Sequence, residues 1–584
     1  MKEKTKQILN KKWGVEFSKN LSQIIKNFSI SEKIFFYSIV IIFIISGLTI
    51  LQKINNSISI QVPTNGGIIK EGIIGSPRFV NPVLAISDVD HDLTYLVYSG
   101  LMKATSDNSL IPDLAESYSI SEDGLIYNFI LKDNIYFHDG KKVTTDDIEF
   151  TINKIQDSTI KSPKRAVFYD VRVEKVDEKH INFILKKPYS PFLINLTVGI
   201  LPKHLWQNLN SEQFPLSQYN VEPIGSGPYK ISKMETQKKN MLLVPTYYEL
   251  IAFNQYALNR PFIDKIIIKF YLDEESLIDG YNKKEIESIN SISPEKISDI
   301  KIQKDSTINT SALPRIFAIF FNQNQSDILS NKEVRKALDI AIDRENIVKE
   351  VLYGYGKAIN YPIPVNILNK EIEPVATATE KAINILEKAG WSINASTSIM
   401  EKKINKISVP LKIVISTLNS PDLVKTAELV KNDWQKIGVE VEINQFDFGD
   451  LQQNIIRPRK FDALLYGEVI GRDMDLYAFW HSSQRNDPGL NIAMYTNATA
   501  DKLLEEARKT NDINERIDKY NKFSEELSND IPAVFLYSPD FIYINKNKIK
   551  NLSLGNLTLP FERFLNVNNW YIETNTLWKM FIKQ

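Results

Sequence analysis

The chain offers few residues for chemistry. It has five histidines, His91, His138, His180, His204 and His481, and no cysteine. The histidines show none of the close spacing that metal-ligand sets share. Without cysteine there is no disulfide, no thiolate nucleophile, no Cys-based zinc or iron–sulfur site and no lipid-modified N-terminal cysteine. No His-Glu-x-x-His motif, phosphate-binding Gly-rich loop or Gly-x-Ser-x-Gly elbow occurs. Gly225-Ser226-Gly227-Pro228-Tyr229 holds a serine between glycines, but Pro228 and the lack of a following helix fit a tight turn. Gly354-Tyr355-Gly356 follows a helix and reads as the turn that ends it. The acidic pair Asp146/Asp147 sits at a helix start, where the helix dipole accounts for it.

Asp473 and Asp475 are different. They lie in Gly471-Arg472-Asp473-Met474-Asp475-Leu476, just after a strand ending near Glu468. Loops at the carboxyl ends of strands in α/β sheets face the ligand crevice; the other reading is a solvated acidic turn. The chemistry on offer is therefore charge recognition. No catalytic residue, metal or cofactor is expected, and a peptidase built on the acidic loop would lack a nucleophile–base pair.

The elements that position these residues change along the chain. Residues 125–131 and 181–185 read as strands, and Thr144-Thr145-Asp146-Asp147 opens a helix to about Ile155, so the first region is α+β. The second half is α/β. A strand at Leu411–Ile415 is followed by a helix with Ser420 at its cap and Pro421 at its first position. Gly438 ends that helix and a strand follows at Val439–Ile443, a right-handed βαβ unit. Helices at about 332–341, 344–353, 380–389, 500–509 and 513–527 alternate with a strand near Phe461 to Tyr466. Two regions of different class imply at least two lobes with a cleft between them.

The 584 residues suggest about four domain-sized units. Lys plus Arg and Asp plus Glu both number 71, and this zero net charge gives no support for a nucleic-acid binder. The zero is a sum of unlike parts. Residues 1–33 carry eight lysines against three glutamates, a net of +5, and Ile34 to Leu51 carry no charge. As a helix, that apolar run would be about 27 Å long, near the roughly 30 Å hydrocarbon thickness. The basic flank puts the N-terminus in the cytoplasm and the bulk outside. A cleaved signal peptide is the competing reading, but Gln52 to Asn56 contains no small-x-small cleavage site. Residues 52–65 read as a tether.

Ten short segments occur in a telling order. Tyr98-Ser99-Gly100-Leu101 and Pro112 to Tyr118 come first, then Phe137-His138-Asp139-Gly140 with Thr144 to Asp147. Leu201-Pro202-Lys203-His204 and Gly225 to Tyr229 follow, then Val334 to Leu338 with Ala341-Ile342-Asp343-Arg344, Ile437-Gly438-Val439 and Phe461-Asp462-Ala463. From about Gly66 to Asn545 the chain resembles the extracellular solute-binding proteins of family 5, the peptide-binding components of oligopeptide and dipeptide ABC importers. The resemblance implies an α/β fold with an α+β subdomain, in a two-lobed, three-domain clamshell of the periplasmic-binding-protein kind, here carried by one N-terminal transmembrane helix. Lobe I would combine 66–105, 217–318 and 536–584, with an accessory domain at 106–216, and lobe II would be 319–535. Crossings near 318 and 535 would form the hinge.

The resemblance also implies a site. Family members hold an extended peptide largely through its backbone, and an aspartate in the loop matching Gly471 to Leu476 pairs with the peptide's amino terminus. Aligning on Phe479-Trp480 puts Arg472 beside the expected aspartate, with Asp473 one place off and Met474 and Leu476 in place of prolines. Asp473 is the first candidate for that contact and Asp475 the second. Ser87 and Asp88 are nominated by the ligand-contacting loop that follows Asn81-Pro82. Trp480 is read either as a ligand-stacking ring or as a core aromatic. The implied partners are a small peptide, ABC permease subunits and the membrane through the N-terminal helix, for a monomer. The alternatives are a nickel complex or oligosaccharide as cargo, or a surface sensory or adhesion module without a transporter.

Overall fold

Apolar residues alternate along Ile126–Leu131 and His180–Leu185, and in both strands every second side chain is buried. They are the inner strands of a four-stranded antiparallel sheet ordered Ala115–Ile120, Ile126–Leu131, His180–Leu185, Val171–Lys175. Ile148, Ile152 and Ile155 of the helix Thr145–Gln156 join the same core. Asp147 closes the capping box of that helix by accepting from the Thr144 backbone N–H at 2.9 Å. The computed structural model describes residues 24–239, 242–363, 378–404, 406–472, 474–510 and 512–578.

The second half has the expected βαβ unit. Lys412–Leu418 runs parallel to Glu440–Phe446, with Ile415 opposite Ile443, and the helix Pro421–Lys436 connects them. Leu423, Ala427, Val430 and Trp434 are the buried stripe of that helix. Gly438 leaves the helix at φ +80°, a left-handed conformation that favours glycine. Ser420 holds the cap position without a side-chain bond. The helices Lys332–Ile340, Arg344–Leu352, Ala378–Lys388, Ala498–Lys509 and Ile513–Asp530 lie where the periodicity puts them.

Among the described residues, twelve strands join in one sheet through the long strand Ala533–Lys546. Its first part pairs with Arg315–Phe321, and Asp540 to Lys546 pairs with Ser306–Ala312. The two chain segments that pass between these halves lie side by side: the Leu313 N–H donates to Pro539 O at 3.1 Å, and Ser538 Oγ donates to Leu313 O at 2.6 Å. Pro314 and Pro539 each lack a donor, which interrupts the ladder at this crossing. On either side the cores are separate, one built from residues 69–270, 549 and 564–570, others from residues 316–537.

Residues 65–572 form one compact unit, and the N-terminal helix belongs to another. The helix spans Ile30–Ile58, 29 residues with no buried side chain, opened by a Ser29/Glu32 capping box. It therefore contains the apolar run 34–51 and continues through 52–58, where a tether was expected. Ser59–Pro63 then pairs antiparallel with Thr574–Trp578, and Trp578 Nε1 donates to Asn55 Oδ1 at 3.0 Å. From sequence alone this short polar stretch reads as a tether, because the partner of Ser59–Pro63 is the distant strand Thr574–Trp578.

Candidate functional site

Several of the ordered segments converge on one knot. The Gly227 N–H donates to Val97 O at 2.8 Å, and a Cβ added at Gly225 would lie 2.1 Å from that same oxygen. Only glycine allows the 225–229 turn to press this closely on Val97-Tyr98. His138 locks the turn from the other side: its backbone N–H donates to Gly225 O at 2.8 Å and its Nε2 meets Gly227 O at 3.1 Å. Burial pushes the imidazole down to about 4, so the ring is neutral. Gly100 is pressed on Leu196-Thr197 in the same manner. Tyr98 and Ser99, held by this packing, form part of the wall of a cavity.

That cavity has a volume of about 350 Å³. Its wall combines the helix Asp88–Val97, the strand Met102–Ala104, the segment 194–199, the turn Pro560–Phe564 and, from the second half of the chain, Gly471 and Arg472. Thr94, Tyr98 and Asn195 line it, and their Oγ1, OH and Nδ2 atoms are enclosed within the wall, with no hydrogen-bond partner among the described residues. Buried polar atoms are ordinarily paired, so unpartnered ones gathered in one wall mark it for a polar ligand. Lys103 and Asp113, 7% and 3% exposed, face the same space. Burial lowers Lys103 to about 8, opposed by the charge of Asp113. Burial raises Asp113 to about 6, opposed by Lys103 and Ser99. Lys103 Nζ donates to Tyr256 OH and Asn568 Oδ1, each at 3.1 Å.

A buried charge network fixes the two walls against each other. Arg563 Nη1 and Nη2 donate to the two oxygens of Asp92 at 2.7 Å each, and its Nε donates to Glu71 at 3.0 Å. Tyr543 OH donates to the other Glu71 oxygen at 2.8 Å. Burial pushes Glu71 and Asp92 up while the guanidinium pulls them down. Asp92 sits on the helix that carries Thr94 and Tyr95, and Arg563 sits on the turn that carries Phe561 and Glu562. Phe561 packs on Tyr95 and His91 with ring centroids 5.6 and 5.8 Å apart.

The nominated residues have varied placements. Asp473 lies outside the described residues; its neighbours Arg472 and Met474 both line cavities. Asp475 is held by Arg508, at 2.9 Å from Nε and 2.6 Å from Nη2, and its charge is satisfied away from the cavity wall. Trp480 is 1% exposed and packs among Phe320, Tyr495 and Phe535, so it is the core aromatic of the two readings. Ser87 caps the helix Asp88–Val97 by accepting from the Asp90 N–H, and Asp88 is exposed in its first turn; neither lines the cavity. Of the lining residues, Tyr98, Ser99 and Asp113 stand in two of the ordered segments. Lys103, Thr94 and Asn195 carry no local signal. Among the described residues no three His, Asp or Glu side chains gather as a metal site.

The geometry agrees with what the chain is similar to. A profile of the bacterial extracellular solute-binding proteins, family 5 middle, matches residues 109–491. The oligopeptide-binding protein AppA of Bacillus subtilis (strain 168) is 28% identical over 498 residues, covering 82% of this chain and 87% of that protein. Among solved structures, NikZ from Campylobacter jejuni in complex with Ni(L-His) is 28% identical, with a TM-score of 0.65 over 86% of this chain and 99% of its own. Bacillus subtilis AppA in complex with a nonapeptide is 26% identical, with a TM-score of 0.65 over 88% and 100%. The matched proteins are solute binders, and this chain is not an enzyme. It belongs to the bacterial extracellular solute-binding proteins of family 5.

Proposed function

We propose that the chain is a membrane-anchored, extracytoplasmic receptor that captures short peptides between two lobes and delivers them to an ABC permease. The observation that carries this reading is the cavity whose wall holds unpartnered polar atoms and the Lys103/Asp113 pair and which is closed by Arg472 from the second half of the chain. A peptide supplies an amide donor and acceptor at each residue, the partners such atoms lack. Lobe I would be 66–105 with 217–318 and 536–572, shorter than the expected 536–584 because Thr574–Trp578 pairs with Ser59–Pro63 in the other unit; the accessory domain would be 106–216 and lobe II 319–535. The paired crossing at 313–314 and 538–539 would be the hinge, and closure a population shift driven by contacts made only in the closed form. The N-terminal helix would be an uncleaved single-pass anchor with its basic flank in the cytoplasm.

Calorimetry of the detergent-solubilised full chain against short peptides with free amino termini tests the reading. Saturable heat is expected, and Asp473→Asn should weaken binding by about 1.5–3 kcal/mol if Asp473 holds the amine. No heat with any peptide overturns the reading; an unchanged affinity removes Asp473 alone. A second reading keeps the scaffold and takes a metal complex as cargo, supported by the likeness to NikZ.

A further inference from the structure

Arg472 leaves the loop that follows the strand Ala463–Val469 and ends among residues from the opposite side of the crossing. Its Nη1 donates to Thr105 O at 3.1 Å and Asn108 Oδ1 at 2.6 Å, and its Nη2 to Asn556 O at 3.0 Å. Glu562 takes the rest, from Nε at 3.2 Å and from Nη2 at 2.9 Å. Every guanidinium N–H is thus used. The two charged side chains are 6% and 9% exposed. An Arg–carboxylate fork of this kind is geometrically demanding, and losing one member leaves a buried charge without a partner.

The position of this pair is as informative as its strength. Arg472 lines the polar cavity described above, and it also lines a second one of about 370 Å³, whose wall includes Leu313, Met474, Ile513, Ile517 and Leu557. Gly471, Arg472 and Thr558 are common to both walls. The guanidinium therefore stands where one continuous cleft would otherwise run from the polar chamber into an apolar one beside the crossing. Each chamber alone lies at the small end of the range for small-molecule sites, about 300–1,000 Å³. An extended peptide advances about 3.3 Å per residue, so each added residue brings a chain ending in the polar chamber closer to this wall.

Resting on the peptide reading, we propose that Arg472, pinned by Glu562, is the partition that sets ligand length: it confines the ligand to the polar chamber and excludes peptides that need both. A longer ligand has to displace the guanidinium and replace all five of its hydrogen bonds, whereas a short one leaves them in place.

The test uses the full chain in detergent, with trialanine and hepta-alanine as probes, by calorimetry. The wild-type chain is expected to bind trialanine at least tenfold more tightly. In Arg472→Ala/Glu562→Gln, which removes both charges and opens the wall, that ratio should fall at least tenfold through tighter hepta-alanine binding. Arg472→Met/Glu562→Gln keeps most of the bulk without the charges and should retain the discrimination. Equal affinity of the wild-type chain for both probes overturns the proposal alone, and needs no variant to fold. An unchanged ratio in the opened variant, with a cooperative thermal transition, also overturns it. Binding of neither probe overturns the proposal together with the peptide reading beneath it.

Discussion

Arg472, Asp475 and Trp480 belong to one loop and the short helix after it, yet they do three different jobs: a cross-cleft ion pair, a local ion pair with Arg508, and core packing. Local sequence could nominate this loop because strand ends in α/β sheets face crevices. It could not separate the three roles, because each is set by a partner distant in sequence: Glu562, Arg508 and Phe535. His138 gives a prediction at this scale. Its folded pKa, about 4, lies below the ordinary value of 6.5 because burial disfavours the charged ring. As pH falls through 6.5 the unfolded chain takes up this proton before the folded one. Its contribution is therefore complete above about pH 6.5 and is lost progressively down to about pH 4. Denaturant titrations at pH 7 and 5 should show about 1–2 kcal/mol more loss in the wild-type chain than in His138→Asn. Equal slopes would place the imidazole in contact with solvent.

At the scale of elements, periodicity located the strands, helices and the βαβ unit, since each depends on which neighbours a residue has within a few positions. The knot of Tyr98-Ser99-Gly100, His138 and Gly225–Gly227 was legible as conspicuous residue order and illegible as contact, because close backbone approach leaves no period. It predicts a contrast between two glycines. In Gly225→Ala the new Cβ meets Val97 O and Tyr98, so the variant should lose about 1–3 kcal/mol and also lose ligand affinity, as Tyr98 and Ser99 shift. Gly140→Ala meets nothing within 4 Å; its φ of +85° costs about 1–2 kcal/mol and binding should persist. Chemical denaturation and peptide titration of both variants check this, and equal loss of affinity in the two would contradict the positioning role.

For the whole molecule, the charge split of the sequence and the exposed 29-residue helix point the same way. Full-length protein expressed in its membrane should resist alkaline carbonate extraction and retain its first residues by intact-mass analysis. A soluble product beginning after residue 51 would mean a signal sequence instead. The pairing of Ser59–Pro63 with Thr574–Trp578 brings the last described strand back to the helix end, a closure no local pattern announces. At this scale the proposal is capture of peptides in the cleft of residues 65–572. Its most direct test is native mass spectrometry of the detergent-released full chain, as purified and after incubation with a pool of di- to heptapeptides. Mass increments matching peptides, weighted to the short end of the pool, are expected. A chain that stays at its unliganded mass, or carries a metal complex or sugar and no peptide, would contradict it.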